Sequence, residues 1–154
     1  MQDTHLHLIV ETEGKESLWR GATGLAVRIA RGINRLRKRS GQVIAERYHT
    51  HVLCTPTEVK NCVRYVLNNG FHHVAEPPGP PRAPLGGVDV FSSGLYFDGW
   101  RDQHLIKVVA KGPPPRVPPR TWLLGTGWRK LGRIVFHEIG PYGGAQRHVA
   151  PNAG

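Results

Sequence analysis

Two proline-rich stretches limit what this chain can fold into. One runs Glu76-Pro-Pro-Gly-Pro-Pro-Arg-Ala-Pro-Leu-Gly-Gly87, the other Lys111-Gly-Pro-Pro-Pro-Arg-Val-Pro-Pro119. Proline fixes φ and removes a backbone donor, so neither stretch can enter a helix or a sheet ladder. Periodic sequence of any length is confined to the first 70 residues, with aromatic-rich pieces at Phe91 to Trp100 and Thr121 to Phe136. The expected organisation is an ordered domain over 2–74, a Pro/Gly-rich linker over 75–88, and an aromatic and basic extension over 89–154.

Charge narrows the partner. Across 154 residues, 21 Lys+Arg against 11 Asp+Glu give a net charge of +10, which favours nucleic acid. No apolar run approaches the ~18 residues of a membrane span. The start Met1-Gln2-Asp3-Thr4-His5 has no basic, apolar leader pattern. Two cysteines, Cys54 and Cys62, neither make a disulfide scaffold nor carry zinc-ribbon spacing. The expectation is a soluble cytoplasmic protein with no membrane partner, nucleoid-associated if the source is bacterial.

The first 70 residues read as four elements. His5-Leu-His-Leu-Ile-Val-Glu11 alternates as a strand, with His5 and His7 on one face and Leu6 and Leu8 on the other. Ser17 reads as the cap of a long helix whose stripe is Leu18, Ala22, Leu25, Ile29, Ile33 and Leu36, ending at Ser40-Gly41. Val43 to Leu53 reads as a second strand. Thr55-Pro56-Thr57-Glu58 is a capping box with proline at the first helical position. The helix it opens should stop near Asn69-Gly70 and bury Val59, Cys62, Val63 and Val66.

Three features carry chemistry. Two imidazoles on one strand face, His5 and His7, can share a divalent ion. The plain alternative is a pair of partly exposed histidines, and His49-Thr50-His51 repeats the pattern. Tyr65 and Asn69 stack four apart on one flank of the last helix. Tyr65 is either a core-edge residue or a nucleophile toward a phosphodiester, with a metal polarising the phosphate and Asn69 adding a hard oxygen ligand. Finally, no acid lies between Glu16 and Glu46, while Arg28, Arg31, Arg35 and Lys38 recur at helical spacing beside Arg37 and Arg39. Solvated helix faces usually mix acids with bases, whereas an unrelieved basic face suits a phosphate backbone.

In this order the features resemble the single-tyrosine HUH transposases, most of all the REP-associated tyrosine transposase branch. His5-Leu-His-Leu is similar to the family's Asn-His-Val-His-Leu strand. Arg39-Ser40-Gly41 and Glu46-Arg47-Tyr48 resemble the segment after its basic helix. Cys62-Val-Arg-Tyr65-Val-Leu-Asn-Asn69 resembles its Arg-Tyr-Ile-x-Leu-Asn-Pro helix.

The resemblance implies an α+β, ferredoxin-like antiparallel sheet with helices on one face and an irregular C-terminal extension. It implies Mg²⁺ or Mn²⁺ held by His5, His7 and Asn69, with Tyr65 as nucleophile. Single-stranded or hairpin DNA would be cut and rejoined through a 5′-phosphotyrosine, contacted by Arg28, Arg31, Arg35, Lys38, Arg39 and Arg47. Thr4 stands where the family usually has Asn, Ile44-Ala45 where Trp-Gln is common, and Gly70 where Pro follows the Asn. The family's strands before the His-x-His strand have no counterpart here. The expectation is an N-terminally truncated or misassigned reading frame whose sheet lacks its first strands, unless a second copy in a homodimer completes it. The alternative functions are a non-catalytic single-stranded nucleic-acid-binding remnant of such a transposase, and a metal phosphohydrolase acting through water.

Overall fold

The computed structural model describes residues 6–45, 48–72, 88–89, 92–106 and 108–135. Three helices are present among the described residues: α1 (Lys15–Leu36), α2 (Pro56–His72) and the single-turn α3 (Trp122–Gly125). Short 3₁₀ turns span Ser93–Tyr96, Gln103–Leu105 and Gly127–Leu131. The chain forms two compact units. One comprises Met1–Ile9 and Leu53–Gly154, the other Val10–Val52.

α2 organises the larger unit, and its first turn is fixed locally. The Glu58 carboxylate accepts from the backbone N–H of Cys54 and Thr55 at 2.8 and 2.9 Å, and Thr55 Oγ1 accepts from Glu58 N–H at 3.2 Å. These bonds satisfy donors that a helix start leaves open. Val59, Val63 and Leu67, one per turn, are then buried. Cys62 and Val66 are only half-buried, and the helix runs two residues past the expected Gly70 stop.

The other side of this core comes from the aromatic pieces. Val88, Trp100, Trp128 and Ile134 complete the buried set, with Phe97, Leu95, Leu123 and Leu124 packed around it. Trp100 and Ile134 form an isolated parallel bridge through Arg101 N–H to Ile134 O (2.8 Å) and Ile134 N–H to Gly99 O (3.0 Å). The Trp100 indole N–H donates to Gly94 O at 2.8 Å, and that of Trp128 to Leu124 O at 2.9 Å. Buried indoles need such partners. Phe97 lies edge-on to Trp100 (5.2 Å) and stacked on Trp128 (5.6 Å). A Cβ on Gly94 would come within 2.5 Å of Val88 Cγ1, and one on Gly99 would overlap the Phe97 ring. Glycine at both positions lets backbone and rings approach this closely. The second proline-rich stretch is tied down by Tyr96 Oη donating to Lys111 O and Arg116 donating to Tyr96 O.

The ferredoxin-like antiparallel sheet is not present among the described residues. No strand occurs among the described residues, and the Trp100–Ile134 bridge is the one β pairing described there. The expected strand at 5–11 keeps its alternation over 6–10, with His7 and Ile9 turned inward and Leu6, Leu8 and Val10 exposed. It remains a single extended segment because a strand exists only through a neighbouring ladder. The expected strand at 43–53 does not form over its described residues 43–45 and 48–53, and local bonds occupy its start. Gln42 Nε2 donates to Ile44 O and Ala45 O, and Arg39 Nη2 to Gln42 O. Side chains thereby take carbonyls that a ladder would use.

In the smaller unit α1 begins at Lys15, two residues before the expected Ser17 cap. Gly14 precedes it without a side-chain cap, and Leu18 N–H closes the first turn on Gly14 O. The helix ends at Leu36, short of Ser40-Gly41, because Lys38 enters the left-handed region at φ +49°. Asn34 Nδ2 then donates to Gly41 O, with Gly41 at φ +101°. No residue of α1 is buried.

Candidate functional site

The tyrosine region lies in the larger unit. Tyr65 sits half-buried on α2, and His7 reaches it from the extended segment through the inward face it shares with Ile9. Their ring centroids are 5.1 Å apart at 80°, an edge-to-face contact. Such a pair contributes ~0.5–1.5 kcal/mol beyond the area it buries. Asn69, one turn beyond Tyr65, is 6% exposed, and its Oδ1 has no hydrogen-bond partner. His5 and Arg47 lie outside the described residues.

The metal expectation was tested against these donors. Among the described residues no three His, Cys, Asp or Glu side chains converge as a cation site. Mg²⁺ and Mn²⁺ favour hard oxygens, and of the described pair Asn69 offers one and His7 a ring nitrogen. His5, of the expected ligand set, lies outside the described residues. Burial pushes the thiol of Cys62, three residues before Tyr65, up and so disfavours its thiolate.

Asn68 was not anticipated. It is 1% exposed and donates from Nδ2 to Val135 O at 3.2 Å. At 100° per residue it lies half a turn from Val59, on the side of α2 away from the Val59–Val63 stripe. Val135 therefore meets α2 on that side. A single helix projection carries no trace of this second contact. The one local signal was the pair Asn68-Asn69 inside an apolar helix.

The basic residues lie in the smaller unit. Arg28, Arg31 and Arg35 are exposed on α1. With Arg20 they fall within an arc of roughly 80° at helical spacing. Arg20 is paired with Glu16 at 2.6 Å. Lys38 and Arg39 lie past the helix end. Arg39 braces that end through Nε to Asn34 Oδ1 (3.1 Å) and Nη2 to Gln42 O (2.9 Å), so its guanidinium has a structural task. No acid follows Glu16 on the helix. Leu18, Ala22, Leu25, Ile29, Ile33 and Leu36 form the opposite, apolar face, with Leu36 83% exposed.

Of the three tryptophans in the C-terminal region, Trp100 and Trp128 are core residues, 0% and 2% exposed, whereas Trp122 is 56% exposed. No helix among the described residues is long and apolar enough to cross a membrane. Compared with known proteins, the chain matches no family model, no curated protein sequence and no solved structure.

Proposed function

We propose that this chain binds single-stranded nucleic acid, with phosphates running along the basic face of α1. One observation carries the reading. An acid-free run from Ser17 to Ala45 contains 20 residues of a 22-residue helix, and Arg28, Arg31 and Arg35 stand exposed on one side of it. At ~1.5 Å rise per residue the helix is about 33 Å long, enough to follow several phosphates. Neutralising phosphates releases condensed counterions, so affinity should fall steeply with salt. The likeness to REP-associated tyrosine transposases points to DNA, read here as a non-catalytic remnant of such an enzyme.

The test is fluorescence anisotropy with a labelled (dT)20 strand and a hairpin of equal length, between 50 and 300 mM salt. The proposal expects binding that weakens log-linearly with salt, by ~0.7 in slope for each phosphate contacted. Absence of binding at 50 mM salt would overturn it.

A second reading, cutting and rejoining of single-stranded DNA through Tyr65, draws support from the 5.1 Å contact between His7 and Tyr65. The Tyr65 phenol oxygen would bond to phosphorus as the 3′-oxygen leaves, its proton passing to that oxygen through solvent. A denaturing gel with Mn²⁺ decides it. A covalent protein–DNA band lost in Tyr65→Phe supports cutting, and its absence on folded protein that binds DNA leaves the binding reading alone.

A further inference from the structure

Trp122 stands apart from the other aromatics of its unit. Thr121 caps the turn that carries it, with Oγ1 accepting from Leu124 N–H, and the Trp122 carbonyl accepts from Thr126 N–H and from Thr126 Oγ1. The indole lies against the Gly127 backbone, where a Cβ would come within 2.8 Å of Cζ3. The indole thus packs on backbone at Gly127, yet the residue is 56% exposed. Burial does not explain a tryptophan so placed.

Its surroundings are cationic. The Lys130 ammonium lies 5.2 Å from the Trp122 ring centroid. From Gln103 to His137 the sequence has no Asp or Glu and contains Lys107, Lys111, Arg116, Arg120, Arg129, Lys130 and Arg133. Trp128 shows the contrasting arrangement. The Arg129 guanidinium lies over that ring at 4.8 Å, but the ring is in the core and the guanidinium is committed to Asp98 at 2.7 Å. Lys130 is exposed and lies beside the one exposed tryptophan of the larger unit.

We infer that Trp122 is a stacking platform for an unpaired nucleobase, with Lys130 taking an adjoining phosphate. The inference rests on the nucleic-acid reading above and adds a second contact region, in the unit that does not contain α1. Stacking tolerates any base because each has a π-face, so the platform selects for single strands rather than for sequence. In a duplex the bases are already stacked, and the same surface gains only the phosphate contacts.

The experiment compares the full chain with Trp122→Ala, Trp122→Phe and Lys130→Ala. Each is titrated against (dT)20 and against an abasic 20-mer with the same phosphates and no bases. The unsubstituted chain should prefer (dT)20. Trp122→Ala should bind (dT)20 roughly 5- to 150-fold more weakly, the range for losing one stacked base, and bind the abasic strand unchanged. Trp122→Phe should keep most of the preference. Lys130→Ala should weaken both strands and lower the salt slope by about 0.7. Equal affinity of the unsubstituted chain and Trp122→Ala for (dT)20, with salt-dependent binding intact, overturns the platform and leaves the α1 reading standing. Failure of the unsubstituted chain to bind either strand removes the α1 reading itself. Trp122→Phe retains the ring against Gly127, so a folding defect in Trp122→Ala does not block the comparison.

Discussion

α1 and α2 are both amphipathic helices of four turns or more, yet α1 buries none of its residues while α2 buries Val59, Val63, Leu67, Asn68 and Asn69. The difference does not lie in helical periodicity, which both possess. It lies in what the rest of the chain brings to each. Trp100, Trp128 and Ile134 meet one side of α2, and the segment at Val135 meets the other. Among the described residues of its own unit α1 has only coil beside it, and the side chains of Asn34, Arg39 and Gln42 bond to nearby backbone. Its stripe is also interrupted by Gly21, Gly24 and Gly32, each costing up to ~1 kcal/mol relative to Ala. One helix is a scaffold for a core, and the other is a basic surface.

The largest test of this contrast removes the core's fully buried ring. Trp100→Ala should destabilise the larger unit by about 3–5 kcal/mol, through the lost burial, the cavity and the lost indole hydrogen bond to Gly94 O. Chemical denaturation followed by near-ultraviolet circular dichroism reads the loss. An effect below ~1 kcal/mol would mean that this core is not what holds the unit together.

What the sequence makes legible follows the same division. The capping box at Thr55, Pro56 and Glu58 depends on residues within one turn, so it can be read directly. The Val59 and Val63 stripe can be read because α2 presents it at helical spacing. The strand at 5–11 was misread because alternation fixes where side chains point but cannot supply a neighbour, and no ladder forms. The Trp100–Ile134 bridge joins residues far apart in sequence between two irregular segments, so no local pattern announces it. At the candidate site, the helical flank of Tyr65 and Asn69 can be read from spacing. The His7–Tyr65 contact needs the packing of Ile9 and could be expected only from family resemblance. Trp122 could not be separated from Trp100 and Trp128, since all three sit among basic residues and only packing distinguishes them.

A paired substitution sharpens the contrast between the helices. Leu67→Ala should cost about 2–5 kcal/mol as a cavity in the core. Leu25→Ala, on the uncovered face of α1, should stay within about 0.5 kcal/mol. Equal costs would show that the apolar face of α1 is covered in solution.

The smallest effect concerns Asp98. Its carboxyl is held below the usual carboxylate range, first by the hydrogen bond from Arg129 and then by the charges of Arg129 and Arg116, against a partial desolvation that opposes them. The folded chain therefore takes up this proton less readily than the unfolded one. The contribution is complete above the unfolded carboxyl range near pH ~4 and is lost as pH falls through the lowered folded value. Asp98 is largely exposed, so solvent screening holds the pair to ~0.2–1 kcal/mol. Asp98→Asn should lose that amount near neutral pH and narrow its gap to the unsubstituted protein as melting is followed into acid. A constant gap across pH would contradict the assignment.

The most direct measurement for the account as a whole is the slope of log affinity against log salt for (dT)20, with and without Arg28→Ala, Arg31→Ala and Arg35→Ala together. These side chains are exposed and outside the core, so the fold should persist and helix content should hold. The account predicts weaker binding and a slope shallower by about 2, from three phosphate contacts at ~0.7 each. An unchanged slope and affinity in the folded triple variant would contradict it.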